Sequence, residues 1–166
     1  MEYSQTRQRN TGLFAFFISG ICSISAGVVV SILQGKYGFA YSVTGTLLSL
    51  MSVGNLIAGF AAGVLPGKLG MKKTMALLTA GYSLGYLTMA VSGWLPVLAF
   101  AFFLVGVAKG SATNGCTILV GENSADRTKG LNIMHGCYAM GALLCPFFVS
   151  AALRRADWAP ELFLAV

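Results

Sequence analysis

An all-α integral membrane protein is the fold class this sequence predicts, and three observations predict it. The 166 residues are 56% hydrophobic and only 10% charged, and their mean hydropathy is +0.75. Soluble domains carry about a quarter charged residues. The apolar runs match the roughly 20 residues that cross a hydrocarbon core as a helix. Turn residues and charges separate those runs where a membrane protein would reverse direction.

The first span is read over 12–33, after Arg7 and Arg9. It is too long, and too closely followed by further spans, to be a cleaved secretory signal. The second covers 43–65. Between Lys73 and Lys109 there is no charged residue, but Ser92-Gly93-Trp94-Leu95-Pro96 interrupts the stretch. Glycine and proline mark a turn, and tryptophan suits a membrane interface. The stretch therefore holds a third span, 74–91, and the start of a fourth, 97–121. The fifth is 130–153. A sixth is expected from about Pro160, and because the sequence stops at Val166 the chain is read as an amino-terminal fragment.

The fourth span places a cation at depth. Starting near Val97, the helix must run to about Gly121 to cross the membrane, which leaves Lys109 near its midpoint. A lysine there costs about 2.5 to 3.5 kcal/mol on insertion scales, so Lys109 is expected to face a protein interior or a watery cavity. It serves either as a binding group or as one half of an interhelical ion pair.

Arg7, Arg9, Lys68, Lys72, Lys73, Arg127 and Lys129 fall on one side of this topology, and Lys36, Arg154 and Arg155 on the other. The bias puts the amino terminus in the cytoplasm of a multi-pass cell (plasma) membrane protein. Topology and contact with anionic lipid heads account for the net charge of +6, and no nucleic acid is implied. Cys22, Cys116, Cys137 and Cys145 all lie within spans and read as small apolar side chains. His135-x-Cys137 is too sparse for a metal site. Neither metal nor cofactor is expected.

Many of the 21 glycines lie within spans, and Gly59-x-x-x-Gly63 and Gly81-x-x-x-Gly85 have the spacing that lets helices approach closely. The loop after the second span adds cations to glycines: Gly63, Gly67, Lys68, Gly70, Lys72 and Lys73. Such a loop can hold cations against helix ends and release them when helices move, or it can be an ordinary basic loop. From the residues alone both readings stand.

This loop resembles the signature G-x-x-x-[D/G]-[R/K]-x-G-x-x-[R/K] of the major facilitator superfamily, with Gly67 at the position where the family prefers aspartate. Gly106-Val107-Ala108-Lys109-Gly110 with Asn114, then Leu131-Asn132-Ile133-Met134-His135 and Gly141-Ala142 with Pro146, resemble the fourth and fifth spans of fucose-permease-like members. Lys109 stands where the sugar carriers commonly have a small residue, and a fixed cation suits an anion or a coupling carboxylate. The resemblance implies a partial amino-terminal helical bundle, five spans plus the start of a sixth. It implies inverted three-helix repeats, with Phe17-Ile18-Ser19-Gly20-Ile21-Cys22-Ser23 corresponding to Phe103-Leu104-Val105-Gly106-Val107-Ala108-Lys109.

The candidate substrate- or ion-binding residues are Lys109, Asn114, Asn132 and His135. Asn132 and His135 share a helix face, and the imidazole suits a coupling proton or a hydroxyl contact, or else it bonds a neighbouring carbonyl. Asn114 diverges from Lys109 by about 140° and is expected to bond across to the fifth span, with Asn132 as partner. Asn55, Ser19, Ser23 and Ser25 either line an interior or cap their own helices. Tyr82, Tyr86 and Tyr138 line a pathway or pack.

The expected function is secondary active transport of a small polar solute, anionic or sugar-like, by alternating access. A coupling proton or cation, membrane lipids and a missing carboxy-terminal half complete the expected partners. Two alternatives are a short non-transporting membrane subunit and a membrane-embedded enzyme using His135. The enzyme lacks a second catalytic group, since Glu2, Glu122, Asp126, Asp157 and Glu161 lie in tails or loops.

Overall fold

The computed structural model describes residues 2–155, and among these the chain is helical with no strand. The elements are α1 (Glu2–Tyr37), α2 (Tyr41–Val64), the single turn α3 (Pro66–Leu69), α4 (Met71–Val91), α5 (Leu95–Glu122) and α6 (Arg127–Arg155). All but α3 are long and apolar enough to cross a membrane. The expected sixth span, from about Pro160, lies outside the described residues.

α1 extends past the apolar stretch 12–33 at both ends. Its 36 residues make a rod of roughly 54 Å at 1.5 Å per residue, against a hydrocarbon core of about 30 Å. No glycine or proline precedes Gly12 to break the helix, and a helix emerging into water keeps its own backbone hydrogen bonds. Its end is set by Gly38, at φ +66, whose N–H donates to the Gln34 carbonyl at 2.9 Å. α5 begins with Pro96 in its first turn, where a missing N–H leaves no intrahelical bond unmade. α6 is capped by Asp126, whose Oδ1 accepts from the Lys129 N–H at 3.1 Å.

α5 is the centre of the bundle, packing against α2, α4 and α1, while α1 packs against α6. Its buried positions, among them Leu98, Phe102, Val105, Ala108, Ala112 and Val120, run around the whole helix rather than along one stripe. The large side chains left outside, such as Leu56, Phe60, Leu77, Phe100, Leu143 and Phe147, are exposed. An apolar exterior of this kind suits a bilayer.

Two helix pairs are joined by the same reciprocal contact. Gly106 of α5 lies against the Met51 carbonyl of α2, and Gly54 of α2 lies against the Phe103 carbonyl of α5. Likewise Gly20 of α1 lies against the Tyr138 carbonyl of α6, and Gly141 of α6 against the Phe17 carbonyl of α1. A Cβ at any of the four would overlap the opposing backbone. Phe17 and Gly20 thus take the places of Phe103 and Gly106, and Tyr138 and Gly141 those of Met51 and Gly54. This is the relation inverted repeats require, and the sequence correspondence of α1 with α5 has a structural counterpart.

Of the two spaced glycine pairs in the sequence, one packs. Gly81 approaches the Leu104 carbonyl at 2.6 Å and Gly85 the Ala101 carbonyl at 2.9 Å, measured to an ideal Cβ. Gly59 meets only the Asn114 amide, at 3.7 Å, and nothing lies within 4 Å of Gly63, which is exposed at the end of α2. The Gly59/Gly63 spacing is therefore not a helix-packing seam.

In the basic loop, Gly70 joins α3 to α4 at φ 80 and ψ 150, a region open essentially to glycine alone. Gly67 sits in α3 with open space where a Cβ would be. Gly70→Ala is therefore expected to lower stability by about 1 to 3 kcal/mol, and Gly67→Ala to leave it unchanged or slightly raised. Paired thermal melts in one detergent check this, and equal melting temperatures would contradict it.

Candidate functional site

Because Gly106 and Gly110 bring α5 onto the backbone of α2, the adjoining side of α5 turns toward the cleft between α1 and α2. Lys109 lies there, half-buried. It lines a cavity of about 270 Å³ with Ser23, Ile24, Ala26 and Gly27 of α1 and Leu48, Met51, Ser52 and Asn55 of α2. Among the described residues no carboxylate pairs with it. Its ammonium donors are available to whatever occupies the cavity.

The serines of this region divide into two kinds. Ser52 donates to the Leu48 carbonyl of its own helix at 3.1 Å, and Ser25 to the Cys22 carbonyl at 2.8 Å. Ser19 and Ser23 instead meet the Tyr82 hydroxyl of α4, at 2.9 and 2.8 Å. One turn further, the Tyr86 hydroxyl meets Ser25 Oγ at 3.0 Å and donates to the Cys22 carbonyl. Both tyrosines are buried. α1 and α4 are thus cross-linked by hydroxyls within the apolar core, where each such group needs a partner.

The remaining sequence candidates lie apart from Lys109. Asn114 donates to the Gly110 carbonyl of its own helix at 2.8 Å and faces Gly59 of α2. This corrects the expected bond from Asn114 to Asn132: α5 turns that face to α2, and α6 packs elsewhere. Asn132 and His135 do share a face, and both are exposed on α6. His135 packs edge-on against Phe16 of α1 (centroids 5.7 Å apart, 77° between planes), and Phe16 in turn contacts Tyr138 at 5.0 Å. The alternative of a carbonyl-bonded His135 is not what the structure shows, since its imidazole makes no hydrogen bond among the described residues.

The site therefore joins Lys109 to Ser23 and Asn55, for which the sequence left lining and capping both open, and to Ser52, which the sequence did not single out. Ser23, Ser52 and Asn55 accompany Lys109; Asn114, Asn132 and His135 do not. A signal for the tyrosine contacts was present, since Ser19 and Ser23 on α1 and Tyr82 and Tyr86 on α4 each repeat at four-residue spacing and so present one face. Lys68, Lys72 and Lys73 of the basic loop are exposed.

Residues 12–166 match the Major Facilitator Superfamily. The chain belongs to this superfamily. A gallate transporter of Pseudomonas putida is 29% identical over 134 residues, which are 80% of this chain and 30% of that protein. The chain thus spans less than a third of this relative's length. With five helices long and apolar enough to cross a membrane, it is a multi-pass membrane protein of this superfamily.

Proposed function

We propose that this major facilitator carries a small solute bearing a carboxylate, by alternating access, with Lys109 as the partner of the anion. One observation carries the proposal: an ammonium with no carboxylate partner among the described residues lines a cavity shared by α1, α2 and α5. A desolvated cation is costly, and an anionic solute offsets that cost. Gallate, the solute named for the relative, has the matching chemistry, a carboxylate on a ring of hydroxyls that Ser52 and Asn55 can bond.

In this reading residues 1–166 form the amino-terminal bundle, and a carboxy-terminal half supplies the opposite cavity wall. Arg7, Arg9, Lys68, Lys72, Lys73, Arg127 and Lys129 mark the cytoplasmic end at the plasma membrane, against anionic lipid heads. The loop from Gly63 to Lys73 is the gate. Asn132 and His135, exposed on α6, contribute hydrogen bonds or a coupling proton from the other half's side. They are also where the chain resembles fucose-permease-like carriers. Asn114, its amide already bonded, serves packing against α2.

The test is uptake of labelled gallate by cells expressing the intact carrier, competed with benzoate or with fucose. Competition by benzoate is expected, with Lys109→Ala abolishing it and Lys109→Arg retaining part. Competition by fucose alone, insensitive to Lys109, would replace the anion reading with a sugar one.

A further inference from the structure

We infer that Ser23 is a dedicated hydroxyl donor into the Lys109 cavity, and that Tyr82, held in turn by Ser19, is the residue that sets it in that role. The inference rests on the proposal that this cavity takes a carboxylate. It follows from counting protons in a buried chain.

The Tyr82 hydroxyl bonds Ser19 Oγ at 2.9 Å and Ser23 Oγ at 2.8 Å, and in each contact either oxygen can be the donor. Three hydroxyls supply three protons to two bonds, so one proton remains. If it sat on Ser19, which is 3% exposed, it would have no acceptor among the described residues. If both serines donated to Tyr82, the phenol proton would be left over instead, inside the core formed with Tyr86, Ala108 and Val105. A buried donor without an acceptor is penalised. Ser23 is nearly as buried, at 5% exposed, but it differs in lining the cavity. The remaining proton is cheapest there, which orders the chain as Ser19 donating to Tyr82, Tyr82 donating to Ser23, and Ser23 donating into the cavity.

Two features agree with this order. Neighbouring hydroxyls turn back on their own helices, as Ser31 does to the Gly27 carbonyl at 3.1 Å and Ser49 to the Gly45 carbonyl at 2.8 Å. Ser23 makes no such bond, so its proton is not spent locally. Ser23 also occupies, in α1, the place that Lys109 occupies in α5 under the correspondence fixed by Gly20 and Gly106. The two repeats thus present a hydroxyl and an ammonium to the same cavity, both as donors. An acceptor-only group such as a carboxylate satisfies both, and an amide or alcohol does so less well.

The experiment is equilibrium binding of benzoate to the purified intact carrier. Ser23→Ala is expected to weaken binding about tenfold, the effect of losing one hydrogen bond to a charged group. Tyr82→Phe should weaken it by less, and the double variant should bind no worse than Ser23→Ala alone, because Tyr82 acts only through Ser23. Additive losses in the double variant would overturn the positioning role of Tyr82, since they would mean that it acts through packing. Undiminished affinity in Ser23→Ala, with affinity lost in Lys109→Ala, would overturn the donor role while leaving the anion reading in place. Unchanged affinity in Lys109→Ala, or no benzoate binding by the unsubstituted carrier, would remove the anion reading and this inference with it.

Discussion

Gly106→Ala is expected to lower the stability of the bundle by about 3 kcal/mol or more, the upper end of overpacking costs. A single methyl group has this effect because of what it meets. The new Cβ would fall on the carbonyl oxygen, carbonyl carbon and Cα of Met51, and backbone cannot rotate aside as a side-chain tip can. α2 would have to move away from α5, and that movement would also open the reciprocal contact of Gly54 with the Phe103 carbonyl. In a membrane such close approach drives helix association, since lipid tails are as apolar as the side chains they replace. Gly136 is the control: nothing lies within 4 Å of a Cβ there, so Gly136→Ala should be neutral or stabilise by about 0.5 kcal/mol, as alanine in a helix generally does. The monodisperse fraction after detergent extraction and the melting temperature of each variant measure the difference. Equal behaviour of the two would mean that the α2–α5 contact does not hold the bundle together.

The same contact shows how much the sequence disclosed. One helix limit was legible where chemistry is local: Pro96, read as part of a turn, lies in the first turn of α5. Gly38 and Asp126 act in the same local way but were not singled out, and α1 and α6 run past the limits read for them. The place of Lys109 midway along α5 was legible because charge is scarce in the spans, so an uninterrupted apolar stretch marks out the helix around it. Direction around a helix was harder. Glycine spacing alone could not separate Gly81 and Gly85, which lie against backbone carbonyls of α5, from Gly59 and Gly63, which approach no opposing backbone. Nor could it show that Asn114 faces Gly59 rather than α6. A serine in a span looks the same whether it caps its own turn, as Ser52 does, or reaches Tyr82, as Ser23 does. The distinction depends on which helix lies opposite, and that follows from packing along the whole length of both helices.

Replacing Lys109 with leucine is expected to move stability and transport in opposite directions. The ammonium has no carboxylate partner among the described residues, so removing it breaks no ion pair there, and the apolar substitute avoids an insertion cost of about 2.5 to 3.5 kcal/mol at the helix centre. Part of that cost is already relieved by the cavity, which leaves a gain of about 1 kcal/mol in folding stability, typical of substitutions that relax a functional site. Uptake of a carboxylate solute should fall at least a hundredfold, because the cation's charge-assisted bonds, at about 1.5 to 3 kcal/mol each, disappear from both the bound and the moving state. Measuring kcat/KM and melting temperature on the same preparation separates the possibilities. Lower stability with lost uptake would show that Lys109 holds the bundle together through an ion pair with another part of the carrier. Raised stability with unchanged uptake would show that the cation neither binds the solute nor supports the fold. Only a rise in stability together with a loss of uptake fits a cation kept in the membrane for the solute it binds.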